Sequence, residues 1–191
     1  MTSHSQEHLP KKYMRESRAV KASIVLPPDT NHHGNIFGGK VMAYIDDIAA
    51  ISAMRHCRHQ VVTASTDSVD FLEPIKEGDA ICLESFVTWT HKTSMEVFVR
   101  VVAEELTTGK RRVTATSFLT FVAVDETGRP ILVPEVVPQT EEEKRFHTTA
   151  TERAARRRQR RIESKEFASR IDVEKKPWDY DYDNYNHTQK D

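Results

Sequence analysis

Residues 40–58 read KVMAYIDDIAAISAMRHCR, and this stretch decides the fold. It contains neither proline nor glycine, and its apolar side chains fall on nearly every face of a helix. That pattern predicts a buried helix, with a length of about 28 Å at ~1.5 Å per residue. Two adjacent acids, Asp46 and Asp47, interrupt the apolar run and point about 100° apart on a helix. One of them is therefore expected to face the buried side.

Strand patterns flank this helix, with one predicted before it and four after it. Two prolines end the first strand, because neither can donate a hydrogen bond to a ladder. The predicted strands cover residues 18–26, 61–72, 78–91, 94–106 and 111–124. The short connections between the last four predict an antiparallel meander. A sheet wrapped around the helix would bury the apolar surfaces of both, so the predicted fold class is α+β.

Polar segments are predicted at both ends of the chain. Residues 1–16 are expected to form a mobile arm, and residues 17–138 the folded domain. Residues 139–164 predict a charged helix, since its acids come first and its arginines last, which complements the helix dipole. This helix is either a solvated element packed lightly on the domain or a basic surface for phosphates or a partner. Residues 165–191 are acidic and aromatic, and we expect a flexible tail.

Composition and charge argue against several classes of protein. The 191 residues carry a formal net charge of −1, so no overall field favours nucleic acid. The two cysteines form neither a disulfide framework nor a metal motif. No apolar run approaches the ~20 residues of a membrane span, and the N-terminus lacks the apolar stretch of a signal peptide. A cytoplasmic protein without stable membrane insertion is expected.

The loop before the helix is the segment most suited to binding a ligand. It carries Asn31 and three of the six glycines, Gly34, Gly38 and Gly39. Free N–H groups and the helix dipole favour an anion or a carbonyl oxygen at a helix N-terminus, and glycine allows close approach to the backbone. Asp46 follows in the helix, where a carboxylate among apolar residues needs a partner or a task. It is either a functional acid or an acid that stabilises the helix dipole.

Four sequence blocks, taken in order and spacing, resemble the acyl-coenzyme A thioesterases of the hotdog superfamily. The resemblance is to the group with the bacterial YciA-like and cytosolic brain-type acyl-CoA hydrolases, and it spans about residues 17–138. The blocks are NxxGxxFGGxxMxxxD at 31–46, VDFLxPIxxGD at 69–79, HKTSMEV at 91–97 and TSFLTFVA at 116–123. The resemblance implies a hotdog fold, in which a five-stranded antiparallel sheet wraps around a long central helix. It also implies dimers paired edge to edge, a homohexamer as a trimer of dimers, and an active site between two subunits.

The same resemblance implies hydrolysis of fatty acyl-CoA to free fatty acid and coenzyme A. Asn31 of one subunit would polarise the thioester carbonyl, together with a backbone N–H near Gly38 and Gly39. Asp46 of the other subunit would activate a water as general base or attack directly, and the sequence leaves both routes open. Thr63 matches a position where the family places a hydroxyl beside the acid. The alternative is an ordinary strand threonine.

Coenzyme A needs contacts of its own, and a predicted turn matches the loop with which the family contacts the nucleotide. Lys92, Thr93 and Ser94 of this turn would bind the phosphates. The family often has arginine where Lys92 stands. Lysine keeps the positive charge but loses the paired hydrogen bonds that a guanidinium group can donate to one phosphate. The alternative is a solvated turn lysine. Residues beside the helix would set the acyl-chain length, such as Met42, Ile45 and Phe71.

No metal and no cofactor beyond the coenzyme A of the substrate are expected. His32 and His33 lack a third ligand at a suitable spacing, so a polar loop role is the expectation for both.

Two other functions are compatible with the resemblance. Hydration or dehydration of an acyl thioester normally uses a catalytic histidine, and the segment around Asp46 offers none in the matching position. A catalytically weak regulator that binds acyl-CoA or a nucleotide is the alternative from a different class, because a fold alone does not establish chemistry. The intact spacing between Asn31 and Asp46 favours hydrolysis over the regulator.

Overall fold

A long helix, α2 (Gly38–Cys57), packs against a five-stranded antiparallel sheet. The structure is a computed structural model that describes residues 10–174 and 176. The strands of the sheet are β2 (Ala19–Ile24), β3 (Gln60–Phe71), β4 (Ala80–His91), β5 (Ser94–Glu105) and β6 (Lys110–Val124). The remaining elements are β1 (Lys12–Tyr13), α1 (Met14–Ser17), a 3-10 turn at Pro27–Asp29, β7 (Val136–Val137), α3 (Glu141–Thr148) and α4 (Ala150–Ala168). The predicted α+β architecture is confirmed, and α2 and the five long strands end within two residues of their predicted limits.

The order of the strands differs from the predicted meander at β3. The order across the sheet is β2-β4-β5-β6-β3, so β3 pairs with β6 and not with β4. Tight turns join β4 to β5 and β5 to β6, whereas residues 72–79 between β3 and β4 include Pro74 and cross to another part of the sheet. This correction places β3 at an open edge, where one side of a 12-residue strand has no neighbour in the described chain.

One face of α2 forms the core with the inner face of the sheet. Val41, Ile45 and Ile48 of the helix are at most 1% exposed. Leu83 and Phe121 of the sheet are buried in the same core. Burial of each such side chain contributes about 1.5–3 kcal/mol to stability. The core therefore anchors α2 at a fixed depth on the sheet.

The opposite face of α2 is open, contrary to the prediction of a helix buried on every face. Met42, Ile51 and Met54 are 49%, 46% and 47% exposed. This face adjoins the open edge of β3, because the side chains of Asp46 and Thr63 are in contact there. A helix that reads as apolar all round thus leaves an apolar stripe uncovered in the single chain.

The N-terminal segment is ordered from β1 onward, which corrects the predicted arm of residues 1–16. Met14 is fully buried, and the Ser17 hydroxyl donates to the carbonyl of Met14 and accepts the N–H of Val87 at 2.9 Å. The apolar Met14 and the two satisfied bonds of Ser17 hold this segment on the sheet. Residues 1–9 lie outside the described residues.

The C-terminal helix predicted over 139–164 consists of two helices, α3 and α4, with Thr149 between them. Thr140 caps α3, and its side chain and that of Glu143 satisfy each other's backbone N–H groups. Phe146 of α3 packs on the outer face of the sheet, 4.5 Å from Phe98 between ring centroids. The first compact unit therefore extends to Thr151, beyond the predicted domain limit at 138.

The second compact unit begins at Glu152 and contains most of α4. Ion pairs between residues one turn apart support it, such as Arg156 with Glu152 at 2.5 Å. The helix ends at Ala168, inside the predicted tail of residues 165–191, and most of that tail lies outside the described residues. No helix in the described ranges has the length and hydropathy to cross a membrane.

Candidate active site

The first turn of α2 offers two backbone N–H groups for a ligand. The carbonyl of Phe37 accepts the N–H groups of Lys40 at 2.9 Å and Val41 at 3.3 Å. Among the described residues, the N–H groups of Gly38 and Gly39 donate to no acceptor, as expected for the first residues of a helix. With no acid in this turn, the positive end of the helix dipole is unopposed by its own side chains. The turn is suited to a carbonyl oxygen that gains negative charge.

Aromatic rings lie close to both glycines. A Cβ atom on Gly39 would lie 2.9 Å from Cε1 of Phe37, and one on Gly38 would lie 3.5 Å from Cζ of Phe71. A side chain at position 39 would therefore push aside the ring of Phe37, which is exposed and can move. Because the two glycines have no side chains, a ligand can still approach the helix backbone between the rings of Phe37 and Phe71.

Asn31 has its side-chain orientation fixed by its own loop. Its Oδ1 atom accepts the N–H groups of His33 at 2.9 Å and Asn35 at 3.3 Å. Because Oδ1 faces these two donors, the amide NH₂ group is the end of the side chain left for a ligand. The Asn31 carbonyl also accepts the N–H of Gly34 at 2.9 Å, which closes the turn. Asn31 can therefore act as a donor to a carbonyl oxygen.

A salt bridge that the sequence analysis missed ties this loop to α2. The Lys40 ammonium lies 3.2 Å from Asp29 Oδ1, and the Asp29 carbonyl accepts the N–H of Phe37 at 2.8 Å. The hydrogen bond and charge of Asp29 raise the pKa of Lys40, so the cation is maintained. Opposite charges on either side of a glycine-rich loop were visible in the sequence. Their contact was not, because it depends on how the loop folds back.

Asp46 and Asp47 have different partners, which separates their roles. The hydroxyl of Thr63 donates to Asp46 Oδ1 at 3.0 Å across the gap between α2 and β3. Asp47 points away toward β2, where its carboxylate lies 3.3 Å from the Lys21 ammonium. Both acids are exposed in the single chain, so the expectation that one faces the buried side is wrong. Oδ2 of Asp46 remains available to a water or a substrate atom.

Thr63 faces Asp46 because of its register in the sheet. It is paired with Phe121 of β6, whose side chain is buried in the core on the α2 side. Residues paired across neighbouring strands project to the same face, so Thr63 also projects toward α2. The register shift between Thr63 and Ser65 follows at once, which confines this orientation to the first residues of β3.

The turn of residues 92–94 has a fixed backbone. Lys92 has a positive φ of 48°, as tight hairpins require, and its carbonyl accepts the N–H of Val133 at 2.8 Å. The Thr93 carbonyl accepts the N–H of Ala123 at 3.0 Å, and the Ser94 hydroxyl donates to the His91 carbonyl at 3.1 Å. The Ser94 hydroxyl is thus already used within the turn, whereas the exposed Lys92 side chain extends from a rigid base.

The predicted site residues fall into separate groups within one chain. Asn31 lies in the loop that leads to Gly38, and Asp46 and Thr63 form a pair farther along α2. The 92–94 turn lies near the other end of α2. The Lys92 carbonyl accepts the N–H of Val133, and the carbonyl of the next residue, Pro134, accepts from the ring of His56 in the last turn of α2 at 2.9 Å. The 20 residues of α2 span about 30 Å. Within the described chain, no hydrogen bond joins Asn31 to Asp46.

Among the described residues, no group of three His, Cys, Asp or Glu side chains is arranged to hold a metal ion. The rings of the loop histidines His32 and His33 are in contact, with centroids 3.9 Å apart and planes inclined at 45°.

Comparison with known proteins places the chain in a family. The thioesterase superfamily model matches residues 33–110. A Bacillus subtilis protein named as an uncharacterized acyl-CoA thioester hydrolase, YkhA, is 56% identical over 167 residues, which cover 87% of this chain and 96% of that protein. An apo-hexameric acyl-CoA thioesterase is 56% identical with a TM-score of 0.78, covering 80% of this chain and 97% of that one.

An acyl-CoA hydrolase from Staphylococcus aureus, solved with butyryl coenzyme A, coenzyme A and coenzyme A disulfide, is 50% identical with a TM-score of 0.80. The match covers 84% of this chain and 98% of that one. Three further structures of that enzyme have an asparagine, an aspartate or a threonine replaced by alanine. Those residues lie 15 and 17 positions apart, as do Asn31, Asp46 and Thr63 here. With this fold and this identity over most of its length, the chain belongs to the thioesterase superfamily and, within it, to the acyl-CoA thioester hydrolases.

Proposed function

We propose that this protein hydrolyses fatty acyl-CoA to a free fatty acid and coenzyme A, at a site that two subunits share. The contact between Asp46 and Thr63 carries the proposal. An exposed carboxylate held by a hydroxyl at 3.0 Å, beside an open strand edge, has the position of a reacting group. The matching spacing of the three residues replaced in the Staphylococcus aureus enzyme supports the same assignment.

Pairing of two subunits through their β3 edges would complete the site. An exposed strand edge is a ready template for another chain, and the apolar side chains of Met42, Ile51 and Met54 lie uncovered beside it. In an antiparallel pair, the first turn of one α2 approaches the later part of its partner. Asn31, Gly38 and Gly39 of one subunit would then face Asp46 of the other. The hexameric relative supports a trimer of such dimers.

The electrophilic half of the site would consist of amide donors. The Asn31 NH₂ group and the N–H groups of Gly38 and Gly39 would bind the thioester oxygen. These donors are fixed before substrate arrives, because Oδ1 of Asn31 is bound within its loop and the glycines belong to a helix. Fixed dipoles that face a developing oxyanion lower the barrier without reorganisation. No metal or other cofactor enters this reaction.

Asp46 would supply the base or the nucleophile. As a base, Oδ2 takes a proton from water while the water oxygen bonds to the carbonyl carbon. The C–S bond then breaks, and the coenzyme A thiolate recovers the proton. As a nucleophile, Asp46 displaces the thiolate and forms a mixed anhydride that water then hydrolyses. In both routes Thr63 holds Oδ1 and thereby orients the other oxygen.

The 92–94 turn would contact the phosphates of coenzyme A. Lys92 contributes a charge on a rigid turn, and the Thr93 side chain can donate a hydrogen bond. Ser94 would contribute less, because its hydroxyl is already bound to His91. We also propose a cytoplasmic location, supported by the two free cysteines Cys57 and Cys82, which are typical of a reducing compartment.

Release of free thiol from a panel of acyl-CoAs tests the activity. We expect turnover by the wild type and loss of at least a thousandfold in Asp46→Ala, with coenzyme A binding retained. Asp47→Asn is the matched control, because it changes the adjacent exposed acid, whose partner is Lys21. Binding without turnover by the wild type would refute hydrolysis and favour the regulator.

Mixing two inactive variants tests the shared site. In a mixed dimer of Asn31→Ala and Asp46→Ala subunits, one site carries both changes and the other carries neither. Random mixing makes half of the dimers mixed, so about a quarter of wild-type activity should return. Activity that stays at the level of the separate variants after proven subunit exchange would contradict a site between subunits.

A further inference from the structure

We propose that an acidic segment near the end of the chain docks on a basic stripe of α4 in the same subunit. The basic stripe consists of Arg158, Arg161 and Lys165, and the docking segment is residues 178–183, WDYDYD. Both belong to the second compact unit, and their contact does not depend on the proposed function.

The basic stripe follows from helix geometry. At about 100° per residue, Arg158, Arg161 and Lys165 project within an arc of about 60°, and they occupy about 10 Å along the axis of α4. All three side chains are exposed. Cations three and four residues apart on a helix repel each other. The stripe therefore destabilises α4 unless an anion lies beside it.

The acids of α4 lie on another face of the helix and have partners there. Glu152 pairs with Arg156 at 2.5 Å, and Glu163 accepts a hydrogen bond from Gln159 at 2.8 Å. Both acids project more than about 100° away from the basic stripe. Among residues 10–174 and 176, no carboxylate forms an ion pair with the three cations of the stripe. The stripe thus offers three cations to an anionic ligand.

The docking segment matches the stripe in charge and in spacing. Its acids are Asp179, Asp181 and Asp183, with an aromatic residue before each one and no basic residue among them. In an extended chain, alternate side chains share a face and recur every ~6.6 Å. Three carboxylates would then face three cations over about 13 Å, and the long side chains of the stripe span the difference of about 3 Å.

The chain after α4 is long enough to run back along the helix. The N–H of Ile171 donates to the carbonyl of Ala168, the last residue of α4, at 3.2 Å, so the chain turns at once. The Asp172 carboxylate then accepts the N–H of Glu174 at 3.0 Å and closes a further turn. Ten residues separate the helix from the first docking acid. They reach ~33 Å when extended, whereas the stripe begins about 5 Å before the end of α4.

This connection also favours the chain's own segment over other anions. Because the segment follows the C-terminal end of α4, it would run antiparallel to the helix. Asp179 then lies beside Lys165 and Asp183 beside Arg158, with the third pair between them. A short covalent connection gives the segment a high effective concentration, so even the weak ion pairs of an exposed surface suffice. Phosphates of a lipid or a nucleic acid lack this advantage.

Carbodiimide cross-linking of the full-length protein tests the contact, because it joins an amine to a carboxylate that lies against it. Lys165 is the one amine of the basic stripe, so mass spectrometry should find a link between Lys165 and Asp179. Lys165→Arg is the matched control, since it keeps the charge and removes the amine. In oligomers mixed from isotope-labelled and unlabelled subunits, linked peptides should carry the same label. Links between differently labelled peptides would overturn docking within one subunit.

Hydrogen exchange at the backbone amides of residues 158–168 gives a second readout. Replacing Asp179, Asp181 and Asp183 together by asparagine should raise the exchange rates at least fivefold. In the wild type, about 0.5 M salt should do the same, because it screens exposed charges. Tyr180→Asp combined with Asp183→Tyr keeps the composition of the segment but places its acids side by side. This variant should lose most of the protection as well.

The absence of the Lys165 link, or exchange rates within twofold of wild type in the asparagine variant, would overturn the inference. An anionic lipid surface is the main competing occupant, and sedimentation with phosphatidylserine vesicles tests it. We expect the wild type and a variant with Arg158→Glu, Arg161→Glu and Lys165→Glu to sediment equally. Vesicle binding by the wild type that this variant loses would assign the stripe to lipid and contradict docking of the segment.

Discussion

Replacing Thr63 by valine removes the hydroxyl that donates to Asp46 and keeps the shape of the side chain. The bond measures 3.0 Å and has a charged acceptor, and such bonds contribute about 1.5–3 kcal/mol. If Thr63 orients the carboxylate in the transition state, the lost energy appears in kcat. At 1.4 kcal/mol per factor of ten, we expect kcat to fall about 10- to 100-fold, with KM changed less than threefold.

The assay is steady-state thiol release with one acyl-CoA at saturating and limiting concentrations. Thr63→Ser, which restores the donor, should recover most of the wild-type kcat. Ser68→Ala is the matched control, because it removes another hydroxyl of β3, one that contacts Asp70 at 3.3 Å. A kcat within threefold of wild type in Thr63→Val, or a Thr63→Ser variant as slow as Thr63→Val, would refute the orienting role.

Three further outcomes are expected. Gly39→Ala should lower kcat/KM at least tenfold, because the added Cβ stands where the substrate approaches the backbone. Little stability should be lost, because the Cβ would meet only the exposed Phe37 ring, at 2.9 Å. Unchanged kinetics would argue against close approach of the substrate to this turn. Val62→Lys replaces an apolar side chain of β3 that is 51% exposed by a charged one, which should prevent pairing of two β3 edges. Light scattering should then detect monomers, and activity should be lost. An active monomer would contradict the shared site. Burial lowers the pKa of His56 below its usual 6.5, so the contribution of this shift to the free energy of unfolding is complete above pH 6.5 and is lost as the pH falls. Between pH 7.5 and 5.5, urea unfolding should show that the wild type loses up to about 1.4 kcal/mol more stability than His56→Gln. Equal losses in the two proteins would rule out this contribution.

The sequence predicts local structure here more reliably than the partners of each element. The limits of α2 and of the long strands follow from periodicity, glycine and proline. The position of β3 beside β6 does not, because strand pairing depends on where residues 72–79 cross and not on any local pattern. The same holds for the open face of α2, since hydrophobicity alone does not specify which surface covers it.

The candidate site shows the same division. A carboxylate within an apolar helix and glycines at its entrance indicate a site from residue types alone. The pairing of Asp46 with Thr63 follows from the register of β3, which a single sequence does not reveal, and only the resemblance suggested it. The roles of Asp29 and Lys40 in holding the loop depend on the folded positions of residues that look ordinary in the sequence.

The N-terminal segment has a practical consequence for anyone who shortens or tags this protein. The Lys12 ammonium donates to the carbonyl of His56 at 2.6 Å, at the end of α2 where helix carbonyls lack partners, and Met14 fills part of the interior. A fusion joined ahead of residue 10 leaves both contacts in place. Deletion through Ser17 removes both the buried Met14 side chain and the hydrogen bond of Lys12. The cavity left by Met14 alone would lower the free energy of unfolding by about 2–5 kcal/mol. Expression boundaries for this protein are therefore best chosen before residue 10.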